Sequence, residues 1–195
     1  RPRVVIFLVH SFATIYMCII LLRFMLQLAR ADFYNPVSQF IVKATDPVLL
    51  PLRKIVPGLW GIDLAGILLA TLFQLLILYI TAGISLLVGG PAFPNPLEAV
   101  IWSLFAVALF ISNIYLVSMI IVMIASFISP YSTHPILLLV RQIIEPIVNP
   151  FRRMIPATGG FDLSFLVAWI ILAAVRMLLT GLAAETGAQF AFLLV

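Results

Sequence analysis

The sequence predicts an all-α integral membrane protein with four transmembrane helices, and three observations carry that expectation. Apolar residues make up 64% of the 195 positions and charged residues 9%, against roughly 45–50% and about 25% in soluble domains. The apolar residues gather into four stretches of membrane-spanning length, with a mean hydropathy of +1.25 for the whole chain. A block of charge and proline recurs between those stretches at a fixed offset. A soluble globule is excluded.

The first span runs from Val4 to about Leu28, longer than the roughly 20 residues needed to cross about 30 Å of hydrocarbon. No small-residue cleavage motif follows its apolar run, so it reads as a span and not as a cleavable signal. The chain begins without Met, and Arg1 and Arg3 read as the remains of a longer N-terminus. Next, Asn35-Pro36 has the form of an N-cap with Pro at the first helical position. Val37, Phe40, Ile41 and Ala44 follow at helical spacing, with Ser38, Gln39 and Lys43 on the other face. This predicts a short amphipathic helix lying in the headgroup layer. From Asp46 to Leu64 the prolines are dense enough to predict a rigid, bent, non-helical connector. The second span is Leu64 to Val88. Gly89-Gly90-Pro91 and Pro94-Asn95-Pro96 then make a short turn, so spans two and three are neighbours. The third span, Ala99 to Ile128, is the cleanest, since no charge occurs between Glu98 and Arg141. The fourth is Leu163 to Ala184, preceded by a second amphipathic segment, Pro135 to Glu145, more apolar than the first.

Sliding the chain against itself by 99 residues gives a gap-free match from Pro36 with Pro135 to Leu64 with Leu163. Identical pairs include Pro47 and Pro146, Pro51 and Pro150, Arg53 and Arg152, Pro57 and Pro156, Gly61 and Gly160, and Asp63 and Asp162. Asp46 pairs with Glu145, and Lys54 with Arg153, so charge is kept at two further places. A period of this kind points to duplication. The units are residues 1–98 and 99–195, each with two spans and therefore in parallel orientation. Inverted repeats, common in secondary transporters, are not what the sequence shows.

Connection one carries Arg30, Lys43, Arg53 and Lys54, connection two no Lys or Arg, and connection three Arg141, Arg152 and Arg153. The positive-inside rule makes the first and third connections cytoplasmic and both termini external, with Arg1 and Arg3 arguing the other way. Lys43, Arg53, Lys54, Arg141, Arg152 and Arg153 are the candidate contacts to anionic phospholipid and a protein partner, each worth roughly 1 kcal/mol beside an anionic surface. Asp63 and Asp162 each precede an apolar run by one residue, the position of an N-cap. A salt bridge from Asp63 to Arg23 is the competing role, and one carboxylate has the capacity for both.

Few polar residues interrupt the spans. His10, Gln27, Gln74, Asn113 and Arg176 are suspects by their location, although packing by hydrogen bond is the commoner use of Gln and Asn. Arg176 has Glu98, Glu185 or the outer interface as prospective partners. Cys18 is alone, which excludes an internal disulfide or a multi-cysteine metal site. His10 and His134 lie far apart without supporting carboxylates, so no metal or other cofactor is expected. No HExxH, GxSxG, phosphate loop or Ser/His/Asp grouping is present, and a non-enzymatic protein is expected. The basic pairs lack the clustering of a nucleic-acid surface.

The duplicated block resembles the YggT family of bacterial and plastid membrane proteins, also written YlmG. The residues that carry the resemblance are Leu22-Arg23, Asp32-Phe33-Tyr34-Asn35-Pro36, Ser38-Gln39-Phe40, Asp46-Pro47, Pro51-Leu52-Arg53-Lys54, Pro57 and Gly61-Ile62-Asp63-Leu64. The second copy repeats the pattern from Glu145-Pro146 to Asp162-Leu163-Ser164. It departs from the usual form at Glu145, where Asp is common, and at Trp60, where a second Gly is usual. The resemblance implies a multi-pass protein of the bacterial inner membrane. It also implies a link to osmotic tolerance and ion homeostasis, to genetic neighbourhoods of cell division and, in plastids, to cytochrome assembly and nucleoid distribution. The reading that follows is a scaffold or assembly factor whose basic loops engage anionic lipid and a membrane partner. The alternative is a homo-oligomeric channel or transporter component with His10, Gln74, Asn113 and Arg176 along its pathway.

Overall fold

The computed structural model of the protein describes residues 2–58, 61–155 and 163–187. Among these it contains six helices: α1 Pro2–Leu28, α2 Pro36–Ile55, α3 Leu64–Leu86, α4 Pro96–Ile128, α5 Pro135–Met154 and α6 Leu163–Glu185. Four of them, α1, α3, α4 and α6, are long and apolar enough to cross a membrane, within a few residues of the stretches expected from hydropathy. Pro156, Gly160 and Asp162 lie outside the described residues.

The long helices pack as α1 on α3, α3 on α4 and α4 on α6. The shorter α2 rests on α1, α3 and α5, and α5 rests on α1, α2, α4 and α6. Since α2 links α1 to α3 and α5 links α4 to α6, both lie at the same end of the bundle. The largest core gathers there, joining Phe24 and Met25 of α1, Ile41 of α2, Met119 of α4 and Ile143 and Val148 of α5. Elsewhere the spans are thinly covered. Only 6% of the most apolar window of α6 is buried, and Met177 on it is 72% exposed. Apolar surface on this scale is stable only in contact with hydrocarbon, the solvent in which a helix satisfies its backbone internally.

The caps follow local chemistry. Asn35 Oδ1 accepts from Val37 N at 2.9 Å and Asn95 Oδ1 from Leu97 N at 3.1 Å, each with Pro at the next position. His134 makes no side-chain cap, and its N donates to Ser132 Oγ at 3.3 Å. The turn after α3 depends on Gly89, at φ +77°, and on Gly90, where a Cβ would stand 2.8 Å from the Ser85 carbonyl.

The proline-rich connector is corrected. Instead of a bent non-helical segment, α2 continues through Pro47 and Pro51, and α5 through Pro146 and Pro150. An interior proline removes one hydrogen bond and costs about 3 kcal/mol, so burial must offset it. The four prolines are exposed, and their spacing of four stacks both prolines of each helix on one face. The opposite face buries Ser38, Ile41, Thr45 and Leu49 in α2, and Leu139, Ile143, Ile144 and Val148 among others in α5. Each fully buried aliphatic side chain stabilises by about 1.5–3 kcal/mol. The polar face is also corrected: Ser38, expected on it, is fully buried, while Phe40 of the apolar stripe is 62% exposed. Serine is small enough to let α2 sit close to its neighbours.

Candidate functional site

The end of the bundle that carries α2 and α5 concentrates the charge. Helical spacing puts Arg23 and Gln27 on one face of α1, and the last turn of α2 brings Arg53 to them. Arg53 Nη2 donates to Gln27 Oε1 and to Asp63 Oδ2. Asp63 is 3% exposed and is the N-cap of α3, its Oδ1 accepting from Gly66 N at 3.3 Å. One carboxylate therefore serves as cap and ion-pair partner together, but its partner is Arg53 and not Arg23. Arg23 forms an ion pair with Asp46, Nη2 to Oδ1 at 3.5 Å, and its guanidinium lies 5.4 Å from the centroid of the Phe33 ring. Gly66 makes the arrangement sterically feasible, since a Cβ there would stand 3.1 Å from Asp63 Oδ2. Two cations and two anions balance, as a group of charges withdrawn from water requires.

The halves are tied together across this face. Asn35 Nδ2 donates to the Pro135 carbonyl at 2.8 Å, and Asp32 N donates to Gln142 Oε1 at 3.0 Å. Lys43 and Lys54 on α2 and Arg152 and Arg153 on α5 are exposed. Arg141 is half-buried and donates to the Pro130 carbonyl at 3.3 Å. Of the six basic positions, Lys43, Lys54, Arg152 and Arg153 are thus exposed, while Arg53 and Arg141 are half-buried with the partners just named. Of the shared motif, Pro36 and Pro135 open α2 and α5, Glu145 lies exposed within α5, Pro57 follows the end of α2, and Gly61 takes φ +84°.

The polar residues of the spans do not converge on one track. Arg176 Nε donates to Asn113 Oδ1 at 2.5 Å, joining α6 to α4, in place of the expected Glu98 or Glu185. Gln74 is buried in α3. Both ring nitrogens of His10 are buried without a hydrogen-bond partner among the described residues. Sequence reasoning missed Phe33 beneath Arg23 and Gln142 accepting from the Asp32 amide. An aromatic residue five positions beyond a span, and a glutamine beside Arg141 in the segment that forms α5, were the available signals.

The CCB3/YggT family model matches this chain twice, over residues 2–84 and 101–183. The chain belongs to the CCB3/YggT family. It is 44% identical to an uncharacterized protein of Pseudomonas aeruginosa over 184 residues, covering 93% of this chain and 91% of that one. It is 38% identical over 164 residues to a protein from the proC 3′ region of Vibrio alginolyticus, covering 84% and 86%. It is 30% identical over 196 residues to the protein YggT of Escherichia coli K12, covering 93% and 92%. No solved structure matches. The two matched stretches of the YggT model begin and end 99 residues apart, and each takes in two spans and the short helix between them.

Proposed function

We propose that this YggT protein is a non-enzymatic scaffold or assembly factor of the bacterial inner membrane. In this reading α2 and α5 are equivalent amphipathic helices of a duplicated unit. They lie side by side in the cytoplasmic headgroup layer and form one basic platform for anionic phospholipid and a membrane protein partner. The observation that carries the reading is the joining of α2 and α5 at one end of the bundle with Lys43, Lys54, Arg152 and Arg153 exposed there. Exposed Phe40, Val48 and Leu50 on α2 suit the acyl boundary, with the lysines in water. The osmotic tolerance and ion homeostasis implied by the family resemblance then follow from the partner that the platform organises.

The test leaves Arg53 untouched because the fold uses it. Lys43, Lys54 and Arg153 changed together to Gln should retain helicity, while retention of phosphatidylglycerol through purification falls roughly tenfold or more, from about 1 kcal/mol per lost cation. Lipid phosphorus per protein, read by mass spectrometry after extraction in lipid discs, measures it. Unchanged retention of both lipid and co-purifying protein would refute the platform.

A second reading, an oligomeric channel or transporter component, draws on one observation, the Arg176–Asn113 contact within the spans. It requires that contact to line a path for ions, with its effect on flux as the discriminating readout.

A further inference from the structure

Of the four spans α6 is the least covered, and its counterpart in the first half shows which face is open. Moving back 99 residues, Ile170 corresponds to Thr71, Arg176 to Ile77, Met177 to Leu78 and Thr180 to Thr81. On α3 all four positions are buried, and that helix packs on both α1 and α4. On α6, Ile170, Met177 and Thr180 are exposed and Arg176 is half-buried. The counterpart of α1, which is α4, packs on α6. Among the described residues no helix takes the place that α4 takes beside α3.

Helical spacing sets Arg176 beside Met177 and Thr180, at the edge of this open face and deep in the span. At 1.5 Å per residue it is about 20 Å from the start of α6 at Leu163 and about 14 Å from its end at Glu185. The nearer end is fixed to α4 by Trp102 Nε1, which donates to the Thr186 carbonyl at 3.0 Å. Helical Cβ atoms tilt toward the N-terminus, so the Arg176 side chain sets out away from that end and from the lipid phosphates beside it. Its one side-chain partner is neutral: Asn113 Oδ1 accepts from Nε, and the Nη groups have no hydrogen-bond or ion-pair partner among the described residues. No carboxylate of the chain stands at this depth. Asp and Glu are absent from α1 and α3, from α4 beyond Glu98 and from α6 before Glu185.

We propose that the open face of α6 docks a transmembrane helix of another protein, one that carries an Asp or Glu near the middle of its span, with the carboxylate accepting from the Arg176 Nη groups. The proposal gives the chemistry of the membrane partner that the scaffold reading requires; it rests on that reading for the partner and not for the basic platform. Charge complementarity selects the occupant. An ionised side chain inside a span is unfavourable unless paired, and a carboxylate accepts two parallel bonds from one guanidinium. A second copy of this chain brings no carboxylate at this depth, and a lipid carries its phosphate at the interface. Ala173 and Thr180, one turn to either side of Arg176, are small enough for a second helix to approach closely.

Model spans test it on the full chain. Three dansyl-labelled, tryptophan-free Leu-rich peptides of about 20 residues, with Glu, Gln or Leu at the centre, are mixed with the protein in phosphatidylcholine vesicles. Energy transfer from the protein's own tryptophans, of which Trp102 and Trp169 lie on α4 and α6, reports association. The Glu peptide should reach half-maximal transfer at about tenfold lower mole fraction than the Leu peptide, the discrimination that one charge-assisted contact supports, and below the Gln peptide as well. Arg176→Leu should bring all three within about twofold with helicity retained, whereas Asn113→Leu, which leaves the cation in place, should keep the preference. Three peptides alike with the unmodified protein overturn the proposal, as does a Glu preference that survives Arg176→Leu. Twice the monomer mass without peptide, lost on Arg176→Leu, overturns it in favour of a second copy, and phosphatidylglycerol retention lost on Arg176→Leu overturns it in favour of a lipid phosphate. The Glu preference should persist when Lys43, Lys54 and Arg153 are changed together to Gln, so the docking face and the platform fail on separate readouts.

Discussion

Asp63→Ala lowers the stability of the folded protein by about 3 kcal/mol or more, the largest effect expected of any single change at the basic end. Two losses combine. The first turn of α3 loses its side-chain acceptor, worth about 1 kcal/mol, and Arg53 is left beside Gln27 without its counter-charge. Breaking a buried pair from one side costs about 3–5 kcal/mol. Asp63 is almost fully buried, while the Arg53 side chain is 27% exposed, which places the sum toward the lower end. Asp63→Asn keeps an acceptor for the Gly66 amide and should fall between. Arg53→Leu added to Asp63→Ala should recover part of the loss, because it removes the unmatched charge. Helicity followed through unfolding in mixed dodecyl sulfate micelles gives these differences. A loss below about 0.5 kcal/mol for Asp63→Ala, the range of an ordinary surface change, would show that the pair is not structural.

The second large effect concerns Arg176. Asn113→Leu removes the acceptor of its Nε in a part-buried contact and should cost about 1–2 kcal/mol, toward the lower part of the roughly 1–3 kcal/mol of a charged donor left unmatched. A guanidinium inside a span is itself unfavourable by about 2.5–3.5 kcal/mol, so Asn113→Leu with Arg176→Leu should return stability close to the starting value. If the contact only joins α4 to α6, cation and anion flux in reconstituted vesicles is the same for the unmodified and doubly changed proteins. Flux abolished by Arg176→Leu in a protein that still folds would transfer the weight to the channel reading.

The four spans were legible because hydrocarbon imposes one strong condition on length and composition, and α1, α3, α4 and α6 meet it with little ambiguity. The caps at Asn35 and Asn95 were legible too, being local: a side-chain oxygen, a proline and the next free amide. The connectors were misread because proline was weighed by its effect on an isolated helix. Whether a helix passes through Pro47 and Pro51 depends on what the opposite face buries, and Ile41 and Leu49 meet neighbours distant in sequence. The same limit explains the partner of Asp63. Arg23 and Arg53 are both basic and both near that end in sequence terms, and only the packing of α2 on α1 distinguishes them.

The central claim is that α2 and α5 share the cytoplasmic face, and cysteine labelling in membranes tests it most directly. With Cys18 changed to Ala, single cysteines at Lys54, Arg153 and Leu87, all exposed positions, are offered a membrane-impermeant maleimide in intact cells and in inverted vesicles. The account predicts that Lys54→Cys and Arg153→Cys label only in inverted vesicles and Leu87→Cys only in intact cells. Labelling of positions 54 and 153 from opposite sides, or of both from outside, would contradict it.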